Sequence, residues 1–135
     1  ERLVRERFAR YAVIEEKEPM SESYMVDDAD YVVVAYGASA RVAKAAVREA
    51  REQGIKAGLI RPITLWPFPK QAMRDAAKHA KAFLCVEMSM GQMIDDVKLA
   101  IDCSRPVEFF GRTGGIIPTP AEVLENIKKL AGGEK

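Results

Sequence analysis

Four places in the sequence put chemically capable side chains at the end of an apolar run. Glu87 closes the run AFLCVE. A carboxylate there could act as a general acid or base, or could simply be solvated or ion-paired. Arg61 closes IKAGLIR, and its planar fork could grip a carboxylate or phosphate or form a salt bridge that steadies the proline-rich segment after it. Gly37-Ala38-Ser39 follows YVVVAY. Free amides at a helix start favour an anion, whereas the plainer reading is a tight turn with Ser39 as the N-cap. The turn fits neither GxGxxG nor GxxxxGK[ST]. Arg112-Thr113-Gly114-Gly115 follows VEFFG and could wrap an anion in a nest of amides or serve as a flexible turn into the next element.

The other reactive residue types are sparse. His79 is the sole histidine and Cys85 and Cys103 are the only cysteines. There is no CxxC and no Cys/His spacing suited to zinc or an iron–sulfur cluster. The cysteines read as small hydrophobes in a reducing compartment, so a cytoplasmic protein is expected. His79 reads as a surface residue at a helix end. Met88, Met90 and Met93 form a soft-ligand trio on paper but suit core or interface packing better. Trp66 and Phe68, held by Pro67 and Pro69, are candidate subunit contacts together with Met90. No nucleophile, base and oxyanion donor come together, so no catalytic residue is assigned.

These residues need elements to hold them. YVVVAY (31–36), IKAGLIR (55–61), AFLCVE (82–87) and VEFFG (107–111) read as strands, the apolar ones being of the kind buried on both faces of a parallel sheet. Between them, Val42, Ala43, Ala46, Val47 and Ala50 recur at helical spacing, with Arg41, Lys44, Arg48 and Arg51 on the outer face, before the stop at Gly54; Ala72, Met73, Ala76, Ala77 and Ala80 recur in the same way further on. Pro62–Pro69 is a stiff crossing that leads into that second helix. Ser89 with Gln92 and Thr119 with Glu122 each match a capping box, the first opening a helix carrying Met90, Met93, Ile94, Val97 and Ile101, the second a helix carrying Val123, Leu124, Ile127 and Leu130. A leading helix over 2–16 lines up Leu3, Val4, Phe8, Tyr11 and Ala12, and SESYMV (21–26) is a candidate edge strand. Alternating strands and helices imply right-handed crossovers and a three-layer α/β/α domain with a mostly parallel sheet. The expected organisation is a leading helix and linker over 1–20, one α/β domain over 21–131 and a fraying tail over 132–135.

Composition limits the function. The chain has 135 residues, 48% hydrophobic and 30% charged, enough for one real core. Lysines and arginines number 21 against 20 acidic residues, so no long-range field for nucleic acid is expected. No apolar run approaches the ~20 residues of a membrane-spanning helix. Glu1 stands where an initiator methionine would, so a processed chain or a piece of a longer polypeptide is expected.

Read together, DDADYVVVAYGASARVAKAAVREAREQGIKAGLIRPITLWPFP (27–69), VEMSMGQMIDDVKLAI (86–101) and RTGGIIPTPAEVLENI (112–127) resemble the C-terminal domain of the α subunit of 2-oxoacid:ferredoxin oxidoreductases. The likeness is strongest to the branched-chain (2-oxoisovalerate) and 2-oxoglutarate types and covers about residues 21–131. It implies a transketolase C-terminal-like fold: five strands in the order 1-3-2-4-5, the first antiparallel. It implies a parent enzyme that converts a 2-oxoacid to acyl-CoA on thiamine diphosphate and magnesium, with iron–sulfur clusters passing electrons to ferredoxin. None of these groups is expected on this chain alone, which lacks the GDG…N magnesium motif and cluster cysteines. The implied role is assembly with other domains and subunits, homo-oligomers included. A self-standing flavodoxin-like module binding a small anion is the alternative, although Gly37-Ala38-Ser39-Ala40-Arg41 makes a poor phosphate loop. A receiver-like module would need acidic residues after the first long strand, whereas Asp27, Asp28 and Asp30 precede it.

Overall fold

The computed structural model describes residues 1–132. In chain order the elements are α1 (Arg2–Lys17), β1 (Ser21–Tyr24), β2 (Tyr31–Ala35), α2 (Gly37–Glu52), β3 (Ala57–Pro62), α3 (Lys70–Ala77), β4 (Ala82–Glu87), α4 (Met93–Ala100), β5 (Val107–Gly111) and α5 (Pro120–Gly132). The five strands form one sheet in the order β1-β3-β2-β4-β5. β1 runs antiparallel to β3, with Ser21 opposite Pro62, and every other pairing is parallel. This is the order and sense that the family likeness implies.

Period-two alternation divides the central strands between two cores. Val32 and Val34 of β2 and Phe83 and Cys85 of β4 point to one side, where Met73, Ala76, Met93 and Val97 of α3 and α4 cover them. Val33, Ala35, Leu84 and Val86 point to the other, against Ala43, Val47, Val123 and Ile127 of α2 and α5. Covering on both faces is why these strands read as unbroken apolar runs. β1 and β5 have no fully buried residues because they are the sheet edges.

The turns have local causes. Gly54 (φ +84°) ends α2 in the left-handed region; its N–H donates to Arg51 O and that of Ile55 to Ala50 O, at 3.0 and 2.9 Å, the paired bonds of a Schellman cap. Gly58 lets β3 pass under the turn after β1: a Cβ there would sit 2.6 Å from Met25 O. Arg51 closes that corner, donating to both Asp28 carboxylate oxygens (3.0 and 2.7 Å), to Met25 O and to Ala57 O. The bond from Arg51 holds the Asp28 carboxyl below its usual range.

Several expected boundaries shift. The edge strand stops at Tyr24, because Met25 takes φ +54°. β3 starts at Ala57 and runs through Pro62, and α4 starts at Met93. Pro69 stands just before α3. The tail expected to fray lies, beyond Gly132, outside the described residues.

Candidate functional site

The carboxyl ends of β2, β3, β4 and β5 lie along one edge of the sheet, where α/β domains place ligands. Glu87, the last residue of β4, is 1% exposed. Its Oε2 accepts hydrogen bonds from Gln92 N (3.1 Å), Met93 N (3.0 Å) and Ser89 Oγ (3.0 Å), and its Oε1 from Ile94 N (3.0 Å). The carboxylate is therefore the cap of α4, placed where free amides and the helix dipole favour a negative charge. The expected capping box at Ser89 is not formed. Gly91 (φ +105°) turns the chain back, so Ser89 Oγ instead donates to Glu87 and accepts from Gly91 N at 3.1 Å. The solvated or ion-paired reading of Glu87 is corrected in the same way. Burial, with Asp95 and Glu87 nearby, pushes the Asp96 carboxyl up.

Arg112 pairs with Glu122 across the loop between β5 and α5. Glu122 also completes the capping box that the sequence announces: its Oε2 accepts from Thr119 N at 2.9 Å, while Thr119 Oγ1 accepts from Glu122 N at 3.3 Å. Arg112 N donates to Glu87 O at 3.1 Å, joining the β4 and β5 ends. Gly114 and Gly115 both have positive φ and face open space, next to exposed Ile116 and Ile117.

Arg61 donates to Glu22 of β1 at 2.8 Å. The salt bridge thus fastens the edge strand rather than the proline-rich crossing. Lys44 Nζ lies 3.7 Å from Glu22 and 4.7 Å above the Tyr24 ring. With Arg41 and Gly37, these residues line a cleft of ≈ 300 Å³. Sequence reasoning listed Gly37 and Arg61 but missed Arg41, Lys44 and Tyr24. Arg41 and Lys44 looked like an ordinary solvated helix face, and only the docking of β1 brings Tyr24 against it. Ser39 is buried on α2 and is not its N-cap; Tyr36 holds that position and makes no side-chain cap bond.

The structure separates the expected contact residues. Trp66 is 56% exposed and packs edge-to-face on Tyr11 of α1, with ring centroids 5.6 Å apart. Phe68 is only 7% exposed and belongs to the core against α3 and α4, so its assignment as a surface contact is corrected. The segment bends between them: Thr64 Oγ1 donates to Pro67 O at 2.8 Å and accepts from Met20 N at 2.9 Å. Met90 is 84% exposed, whereas Met93 is buried in the core. The three methionines therefore make no common site, and none lines the two clefts beside Trp66. His79 Nε2–H donates to Val26 O at 2.9 Å, tying the end of α3 to the turn after β1. Cys85 is buried and its thiol is pushed up by burial and then by Glu87, while Cys103 is exposed. Among the described residues, no three His, Cys, Asp or Glu side chains gather as a metal site.

Comparison with known proteins agrees with this architecture. Residues 29–123 match the family described as pyruvate:ferredoxin oxidoreductase core domain II. The ketoisovalerate oxidoreductase subunit VorB of Methanothermobacter marburgensis is 50% identical over 123 residues, covering 91% of this chain and 35% of that protein. The 2-oxoglutarate synthase subunit KorA of the same organism is 42% identical over 101 residues, or 75% of this chain and 27% of that protein. The chain thus spans between about a quarter and a third of the length of these relatives. Among solved structures, a 2-oxoglutarate:ferredoxin oxidoreductase from Magnetococcus marinus with 2-oxoglutarate, coenzyme A and succinyl-CoA bound superposes with a TM-score of 0.76 at 19% identity, over 94% of this chain and 22% of that one. A split-gene transketolase, an inactive β4 tetramer, gives 0.68 at 16% identity, over 86% of this chain and 42% of that one. These two likenesses concern the fold. The family match and the identity to subunits of ketoisovalerate and 2-oxoglutarate enzymes together mean that the chain belongs to the core domain II family of the 2-oxoacid:ferredoxin oxidoreductases.

Proposed function

We propose that this chain is an assembly domain of a thiamine diphosphate-dependent 2-oxoacid:ferredoxin oxidoreductase, non-catalytic by itself. In the parent complex the reaction is oxidative decarboxylation of a 2-oxoacid to acyl-CoA, with reduction of ferredoxin. The observation that carries this reading is the commitment of the strand-end groups. Glu87 is occupied by four donors, Arg61 by Glu22 and Arg112 by Glu122. Each acts as a fastener between elements, and none is left free to act as an acid, base or nucleophile, although Arg61 also lines the cleft beside Glu22.

The residues present do not fit the complex's cofactors. Cys85 is buried inside β4 and Cys103 is exposed beyond α4, so they cannot share an iron–sulfur cluster. The turn after β2 carries no diphosphate loop, and the nearby carboxylate, Glu87, is already saturated. On this reading thiamine diphosphate, magnesium, the clusters and CoA sit on other domains and subunits of the complex, and ferredoxin is met only through the whole enzyme. The domain's contribution is a rigid sheet with its helices, holding neighbouring parts in register.

The purified chain, supplied with 2-oxoisovalerate or 2-oxoglutarate, thiamine diphosphate, magnesium and CoA, is expected to reduce no viologen dye. Turnover by the chain alone would overturn the reading. The second reading, a module binding a small anion, is favoured by the cleft of Arg41, Lys44 and Arg61. Phosphate titration followed by NMR decides it: saturable shifts confined to these residues would support it.

A further inference from the structure

The cleft between β1, β3 and the first turns of α2 gathers cations that the chain does not balance. Arg41, Lys44 and Arg61 line it, and Glu22 is the one acid in its lining among the described residues. Glu22 stands between two of the cations: it accepts from Arg61 at 2.8 Å and lies 3.7 Å from Lys44. These three side chains are each about half withdrawn from water, so salt screens them less than charges on a flat surface. Arg41 has no ion pair among the described residues. Three cations against one carboxylate leave two positive charges in ≈ 300 Å³. The start of α2 adds to the same field: Gly37, its first residue, lines the cleft, and no side chain caps the helix. Below the charges the floor is apolar, made of buried Leu59 and Ala40 beside half-buried Tyr24.

These features discriminate between anions. The place for one carboxylate is already taken by Glu22. What remains is charge enough for a dianion, with two guanidinium forks whose paired donors match phosphate oxygens. A phosphate monoester carries about −1.5 to −2 charges at neutral pH. The cleft is at the small end of ligand sites, and its apolar floor suits a compact organic group.

We propose that the cleft is a binding site for a small phosphomonoester, in which Arg41 and Arg61 hold the phosphate and Glu22 is a built-in counter-ion that the phosphate displaces from Arg61. The proposal deepens the small-anion reading above and rests on it; it holds whether or not the domain also serves assembly.

Titration of the intact chain with inorganic phosphate, phenyl phosphate and acetate at constant ionic strength, followed by NMR of the backbone amides, tests it. Inorganic phosphate is expected to shift Gly37, Arg41 and Arg61 saturably. Phenyl phosphate is expected to bind at least about threefold tighter, with further shifts at Tyr24 and Leu59, and acetate not to saturate. Arg41→Gln breaks no ion pair of the described fold, so it is expected to weaken phosphate binding at least about fivefold with the melting temperature unchanged. Glu22→Gln removes the internal competitor and is expected to tighten binding by about fivefold, an effect that a mere fastening role for Glu22 would not produce. If no anion saturates, the proposal and the small-anion reading fall together. If acetate binds as tightly as phosphate, the small-anion reading stands and the phosphate site is overturned. Phenyl phosphate binding no tighter than inorganic phosphate would overturn the phosphomonoester as the ligand, and unchanged or weaker binding by Glu22→Gln would overturn the counter-ion role.

Discussion

Glu87→Ala should be among the most damaging single substitutions in this domain, and the reason is local. The carboxylate takes three main-chain amides of the first turn of α4 and the Ser89 hydroxyl, all at 3.0–3.1 Å. Alanine leaves the amides of Gln92, Met93 and Ile94 without acceptors. Losing a cap costs about 1–2 kcal/mol, and each donor stranded away from water costs about 1–3 kcal/mol. The bond from Met93 N is buried, whereas those from Gln92 N and Ile94 N are only partly so, and water can reach part of the site. The total is about 3–5 kcal/mol, a large share of the ~5–15 kcal/mol of a typical domain. For a chain of this size it corresponds to a fall of roughly 10–20 °C in melting temperature. Glu87→Gln keeps the shape and one acceptor oxygen but turns an NH2 group toward a donor, so it should fall between wild type and alanine. Thermal unfolding followed by circular dichroism gives the ranking, and amide hydrogen exchange at Gln92–Ile94 locates the loss. An alanine variant melting within about 2 °C of wild type, with unchanged exchange at those amides, would refute the capping argument.

Two neighbouring aromatics should behave in opposite ways. Phe68→Ala should cost about 3–5 kcal/mol by opening a cavity against α3 and α4, while Trp66→Ala should shift the melting temperature by only a few degrees; comparable losses for both would contradict the bend that Thr64 holds. The thiols should separate as cleanly. In native protein, a thiol reagent should modify Cys103 rapidly and leave Cys85 untouched until denaturant is added, because burial disfavours the thiolate of Cys85. Mass spectrometry showing two labels on the folded chain would contradict the packing of β4.

What the sequence conveyed and what it concealed divide along a physical line. The central strands were legible because burial on both faces leaves an unmistakable run of β-branched and apolar residues. Thr119 and Glu122 were legible because a capping box involves only main chain and side chains a few positions apart. The same pattern at Ser89 and Gln92 misled because a left-handed glycine intervenes and a strand-end carboxylate competes for the same amides, and neither effect is contained in the four-residue signature. Phe68 and Trp66 looked equivalent because an extended chain points residues two apart to the same side. The crossing is bent, and the bonds that bend it come from Thr64 and from Met20, whose proximity is a tertiary fact. Arg51 looked like one more solvated helical arginine for a similar reason: its acceptors, Asp28, Met25 O and Ala57 O, lie on other elements.

The placement of β1 sets a timetable for the chain as it is made. Glu22 and its partner Arg61 are 39 positions apart, so β1 leaves the ribosome roughly 2–8 s before its neighbour β3 at ~5–20 residues per second. During that interval the chain carries an unpaired strand, the kind of segment that invites pairing with another nascent chain. SESY is suited to the wait. It is short and mostly polar, with Glu22 and Ser23 exposed even in the finished sheet. β2, apolar throughout, also emerges before any neighbour but is soon met by β3, and β4 follows on its other side. The sheet therefore grows outward from β2, and the strand made first is unable to join until β3 arrives.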